Sequence, residues 1–318
     1  MFFEPAIYEH AAKVIGRSPY EVSRSEELVF QAHKTARETY HHTPIVVGID
    51  IYSLEAEAYG AKISSPEGNA IPSIVGTLCL ETADVISLPS YNPRKDGRIP
   101  LFLRAAKRLK EALPEAVVKI PVSGPFSLAS HLTGLETLLC DCLTDPAIVK
   151  VALKKIIDDQ RRFCEAAKEY GIGVTFFESA ASPPLVPPPL FRSLILPALK
   201  DLIASAADIF GETIPCIIGG NTALIIEDIL QTGTKYVICP YETDQTLFMA
   251  IMQEYPDVMV RVNMNPSVFC SADIEPAFCE AERVKKLTLG RKKVCIGSGV
   301  VPYEAVTETI LSVKRAFG

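Results

Sequence analysis

The chain has no CxxC pair, no excess of basic residues, no low-complexity tract, no internal repeat, and a single histidine after residue 42. Each absence excludes something. Nine cysteines, an odd number at irregular spacing, do not form a disulfide framework. Reduced thiols are expected, most of them small core residues. A formal net charge of -6 argues against nucleic acid or an anionic membrane as the main partner. Asp, Glu, Lys or Pro interrupts every apolar run before it could span a bilayer. The start, Met1-Phe2-Phe3-Glu4-Pro5, has neither the charged segment nor the apolar core of a signal peptide. A cytoplasmic protein is expected.

What is present is a recurring pattern. Short apolar runs end on polar residues, and helical patterns separate them. Ile45–Ile49 ends at Asp50 and Val117–Val122 at Ser123. Val174–Phe177 ends at Glu178 and Ser179, and Thr213-Ile214 is followed by Cys216 and a Gly219-Gly220-Asn221 turn. Tyr236–Ile238 ends at Cys239, Val258–Val262 at Asn263 and Asn265, and Val294–Gly297 at Ser298. Strands alternating with helices should be parallel. The fold predicted is α/β, a (β/α)8 TIM-type barrel in one domain over 1–318, with residues 1–43 as an N-terminal helical cap. Seven strands are convincing. The eighth is sought in the weak run Ile74–Cys79. Residues 61–97, with four prolines, make a connection too long for a tight loop and are expected to cover part of the active face.

In such barrels chemistry sits where the strands end. Asp50 is therefore a candidate for substrate orientation or proton transfer, against a helix-capping role. Glu178, preceded by two phenylalanines, is a candidate acid of raised pKa or a metal ligand, against a structural carboxylate bonded to loop amides. His131 could contact substrate or metal, or fix a loop to its helix. Cys216 and Cys239, with Glu178, are candidate zinc ligands on strand-end position alone. Ser179, Tyr241, Asn263 and Ser298 are candidate substrate-binding residues. Asn263 and Asn265 could equally stabilise the turn before Pro266.

The segments Gly48–Gly60 (GIDIYSLEAEAYG), Gly124–His131 (GPFSLASH), Phe177–Ser182 (FESAAS), Cys216–Asn221 (CIIGGN) and Gly297–Pro302 (GSGVVP) resemble the uroporphyrinogen decarboxylase superfamily. The resemblance runs from about residue 44 to the C-terminus. The Ala56–Lys62 and Lys95–Pro100 stretches are similar to its corrinoid-dependent methyltransferase branch. The N-terminal pair of arginines by which the decarboxylases hold carboxylates has no counterpart. Asp50 falls at their pyrrole-binding aspartate and Ser179 is kept, but His131 replaces a tyrosine and Ser298 a histidine. The thiol-methyltransferase zinc site is also broken: Cys216 stands at its histidine, Ile218 at its first cysteine and Val300 at its last. The resemblance thus implies methyl transfer between a small methylated compound and a corrinoid carried by a partner protein, with zinc possible but its usual ligands absent. The alternatives are a lyase of the uroporphyrinogen decarboxylase type and a noncatalytic barrel that binds a corrinoid or tetrapyrrole.

Overall fold

A computed structural model describes residues 2–317. Eight parallel strands carry the molecule: β1 (Phe3–Ala6), β2 (Ile45–Val46), β3 (Val118–Ser123), β4 (Gly173–Phe177), β5 (Cys216–Ile217), β6 (Tyr236–Cys239), β7 (Met259–Asn263) and β8 (Val294–Val300). They form two curved ladders, β2-β3-β4-β5 and β1-β8-β7-β6. β5 and β6 run side by side without a ladder between them. At the other seam the Thr43 amide donates to the Glu4 carboxylate at 3.0 Å and ties the start of β2 to β1. The fold is the expected TIM-type barrel, assembled from two halves.

The eighth strand is not where the sequence pattern suggested. Ile74 makes only an isolated antiparallel bridge with Ile63. The barrel is closed by Phe3–Ala6, ahead of the cap helices His10–Val14, Pro19–Ser23 and Glu26–Tyr40. Four residues that include Glu4 and Pro5 carry too little alternation to read as a strand. Pro5 also cannot donate to a ladder. The register with β8 shifts between Glu4 and Ala6. There the Ser298 hydroxyl accepts the Ala6 N–H at 2.9 Å and donates to the Gly299 carbonyl at 2.6 Å.

Strand alternation divides the interior into two cores. Phe3, Val174, Phe176, Val237, Val260, Val262 and Ile296 point outward and pack under the helices in one large cluster. A small second cluster, Ala6, Tyr8, Val46, Ile51 and Phe177, fills the barrel lumen. Long amphipathic helices, Ile99–Ala112, Pro146–Glu169 and Leu196–Phe210, supply the outer shell. The last follows a π-helical turn at Phe191–Ile195, and Pro188 and Pro189 start its approach.

If Phe3–Ala6 closes the barrel, Phe3→Ala should cost about 3–5 kcal/mol, the usual loss for a fully buried phenylalanine. Phe3 is 1 % exposed and stacks on Phe269. Urea denaturation monitored by circular dichroism checks this, with the exposed Phe2→Ala expected to stay within about 0.5 kcal/mol of the parent.

Candidate functional site

The two-residue period sorts the candidates. In β4, Thr175 and Phe177 line lumen cavities, as do Tyr236 and Ile238 in β6 and Met259, Arg261 and Asn263 in β7. Cys216, Cys239 and Glu178 have the opposite parity. Cys216 and Cys239 lie in the layer between strands and helices, both buried, with their thiol pKa pushed up by burial. Among the described residues no three of His, Cys, Asp and Glu come together to hold a metal. The expected set of Cys216, Cys239 and Glu178 is therefore not assembled. The donors present do not fit zinc.

Glu178 is fully buried and faces a helix rather than the lumen. Its carboxylate accepts the Phe126 amide at 3.0 Å and the Ser127 amide at 2.7 Å at the start of the helix Pro125–Thr133. It also accepts the Ser127 hydroxyl, which in turn accepts the Ala180 amide at 3.0 Å. Gly124 makes this approach possible, because a Cβ there would collide with the carboxylate. Burial pushes the Glu178 pKa up to about 7, against the pull of the Ser127 hydroxyl and the two amides. The raised value expected from sequence is present, but the location is that of a helix anchor. A second buried carboxylate, Glu55, lies close by, and burial pushes it up to about 7 as well. It accepts from the Ser123 amide at 2.5 Å and from the Gln160 amide group at 3.0 Å.

Asp50 lines the mouth of the barrel but is not free. Arg98 forks onto it, Nη1 to Oδ1 at 2.8 Å and Nη2 to Oδ2 at 2.6 Å, with both side chains almost fully buried. Ser53 donates to the same carboxylate, and the Arg98 Nε donates to Glu57. The guanidinium also donates to the Ser23 carbonyl of the cap at 3.3 Å. One cation thus joins the loop after β2, the cap and the start of the helix Ile99–Ala112. The sequence pattern does not single out Arg98 or Glu55, although both lie in the segments that carry the family resemblance.

Two cavities open at the C-terminal ends of the strands. One, of about 450 Å³, is lined by Asp50, Tyr52, Ile71, Ile74, His131 and Val300 among others, so the 61–97 connection covers part of that face. The other, of about 180 Å³, reaches into the lumen between Tyr52, Ser179, Tyr241, Arg261 and Asn263. His131 bonds the Tyr52 carbonyl, stands edge to face with the Tyr52 ring, and keeps Nδ1 buried without a partner. Burial lowers its pKa, so it is neutral near pH 7. The Tyr52 hydroxyl bonds Ser179. Asn263 is buried with Oδ1 unpartnered. The structure therefore brings Asp50, His131, Ser179, Tyr241 and Asn263 to the mouth. It leaves Glu178, Cys216 and Cys239 in the helix layer and uses Ser298 to hold β1.

A parallel barrel with its polar side chains gathered at the strand ends belongs to the class of TIM-barrel proteins that work at that face. The chain is a member of the uroporphyrinogen decarboxylase family, whose model, "Uroporphyrinogen decarboxylase (URO-D)", matches residues 5–290. It is 27% identical over 152 residues to the methylated-thiol--coenzyme M methyltransferase of Methanosarcina mazei. That match covers 47% of this chain and 41% of the relative, so the chain spans about two fifths of the relative's length. A solved methyltransferase from Methanosarcina mazei superposes with a TM-score of 0.82 over 99% of this chain and 92% of that one, at 18% identity. A B12-independent methionine synthase from Shewanella sp. W3-18-1 superposes with a TM-score of 0.54 at 12% identity, over 92% and 89% of the two chains. At these identities the two structures establish a common fold.

Removing Arg98 would strand the buried Asp50 carboxylate. Arg98→Gln should lower stability by about 3–5 kcal/mol, as breaking a buried ion pair does, and thermal or urea denaturation reads it directly. Glu55 gives a prediction about pH. Its folded pKa, about 7, lies above the unfolded value, so the native state holds a proton that the unfolded chain has released. Stability from this group is complete below about pH 4.5 and falls as pH rises towards 7. Glu55→Gln removes that titration. Denaturation curves at pH 5, 6 and 7 should therefore show the variant gaining on the parent as pH rises. A constant difference would place an ordinary carboxylate at residue 55.

Proposed function

We propose that this protein is a methyltransferase that moves a methyl group between a small methylated compound and a corrinoid held by a partner protein. The observation that carries the reading is the character of the mouth. Ile71, Ile74 and Val300 surround a few neutral polar groups, Tyr52, His131, Ser179 and Asn263. A tetrapyrrole with many carboxylates needs clustered cations. Here Arg98 is occupied by Asp50 and Glu57, and Arg261 stands deep in the lumen. That disfavours porphyrinogen decarboxylation. The mouth suits a small, weakly polar substrate, and the membership in a family whose relatives include a methyltransferase supports the same reading.

The chemistry requires a donor at the heteroatom that loses its methyl group. The corrinoid cobalt supplies the nucleophile when bound. This chain's own residues hold the heteroatom: the Tyr52 hydroxyl, oriented by Ser179, is placed to donate to it and the Asn263 amide to position it, while the neutral His131 gives its one N–H to the Tyr52 carbonyl and so fixes that residue. Glu178 anchors the helix that carries His131, and Asp50 fixes the loop that carries Tyr52. Both are positioning residues in this reading. Ile71, Val75, Leu78 and Leu80 leave an apolar segment exposed beside the mouth, which a partner protein presenting its corrinoid could cover.

The test is a methyl-transfer assay with a cobalt(I) corrinoid protein and a panel of methylated thiols, amines and ethers, read as the methylcobalt absorption spectrum. Tyr52→Phe should lower the rate about tenfold or more while leaving the fold intact. Absence of methylcobalt across the panel would leave the noncatalytic binding role. Carbon dioxide release from a porphyrinogen would instead restore the lyase reading.

A further inference from the structure

Arg261 sits in the middle of β7 between Val260 and Val262, with its side chain on the lumen face and in contact with both the upper cavity and a lower one of about 370 Å³. No carboxylate of the described residues forms an ion pair with it. The Tyr236 hydroxyl accepts a hydrogen bond from it, and the other groups around it are Tyr8, Cys295 and, last, Glu4. Its Nε is buried without a partner, as is Oδ1 of Asn263 two residues further along the same strand face. Gly297 on the adjacent strand leaves the room both need, since a Cβ there would press on the Asn263 amide and on Arg261 Cγ at 2.7 Å. A half-buried guanidinium with no ion-paired carboxylate and a buried, unpartnered Nε is costly, and an anion would complete it. Glu4 lines the lower cavity too, but it accepts the Thr43 amide across the seam and is not within ion-pair distance of the guanidinium. Lys119 adds a second cation on the lower side.

We infer that the lumen binds a small aliphatic carboxylate, with its carboxylate on the Arg261 fork and the Asn263 amide and its tail against Phe177 and Ile217. The guanidinium fork matches the two oxygens of a carboxylate. The Asn263 amide can present its nitrogen as donor. Tyr8 and Tyr236 offer hydroxyls beside the guanidinium, and Tyr8 meets Phe177 edge to face at 5.7 Å. The tail of such a ligand points up towards Tyr52 and Ser179. The inference concerns binding and holds whichever reaction the mouth performs.

Isothermal titration with butyrate and with its neutral isostere butyramide tests it on the whole chain. Butyrate should bind roughly tenfold tighter or better, the margin expected of a charge-assisted fork, and should raise the melting temperature more than the same concentration of chloride. Arg261→Met should remove the preference and melt no lower than the parent, because it deletes a half-buried charge that has no ion-pair partner. Arg261→Lys, which keeps the charge and is the safer variant for folding, should weaken butyrate several-fold or more. Equal binding of acid and amide, absence of butyrate binding at millimolar concentration, or a preference that survives in both variants would overturn the proposal. So would an Arg261→Met protein that folds, melts well below the parent and still selects butyrate.

Discussion

The constraint on which this molecule depends is that each short strand of a closed parallel barrel has two faces and nothing between them. A side chain at one position enters the lumen, and its neighbour enters the layer beneath the helices. The lumen is narrow, and Ala6, Tyr8, Val46, Ile51 and Phe177 fill much of it. What remains open is a small upper volume walled by Arg261, Asn263, Ser179 and Tyr52 and a larger one below Arg261. The helix layer takes everything of opposite parity. Polar residues there must be satisfied locally, as Glu178 is by the first amides of the helix Pro125–Thr133.

Charge is organised in the same two compartments. In the shell, Asp50, Arg98, Glu57 and Ser53 form a buried network that locks the loop after β2 to the cap. Glu55 and Glu178 are buried carboxylates surrounded by donors, with pKa values held high by desolvation. In the lumen, Arg261 has a tyrosine hydroxyl as partner but, among the described residues, no ion-paired carboxylate. The shell carboxylates are explained by the structure they hold, whereas the lumen arginine calls for a ligand.

The family shares a barrel on which different chemistries are mounted, so membership defines the scaffold and the residues at the mouth must define the reaction. Here the mouth is apolar, its histidine is neutral, and the donors for a bound zinc are not assembled among the described residues. The methyl transfer proposed above would place its demands on positioning and on a hydrogen-bond donor at the leaving heteroatom, the role proposed for the Tyr52 hydroxyl with Ser179 beside it.

The sequence alone determined the barrel class, six of its strands and the face on which polar residues collect, because apolar periodicity and turn residues are local properties of the chain. The strand expected at Thr213-Ile214 instead forms at Cys216–Ile217, so Cys216 begins it rather than following its end. It did not identify Phe3–Ala6 as the closing strand. A four-residue strand with a proline is held by β8 and by the Ser298 hydroxyl rather than by its own pattern. It placed Asp50, His131, Ser179, Tyr241 and Asn263 at the right end of the molecule. It could not tell that Glu178, Cys216 and Cys239 point away from the lumen, because one residue of register reverses a side chain and strand ends are uncertain by more than that. Arg261 was legible in principle, as a charged residue inside Val258–Val262, but its meaning is a matter of what does not pair with it. Pairing across strands distant in sequence, such as Arg98 with Asp50 and the open flank of Arg261, is decided only when the chain has closed on itself.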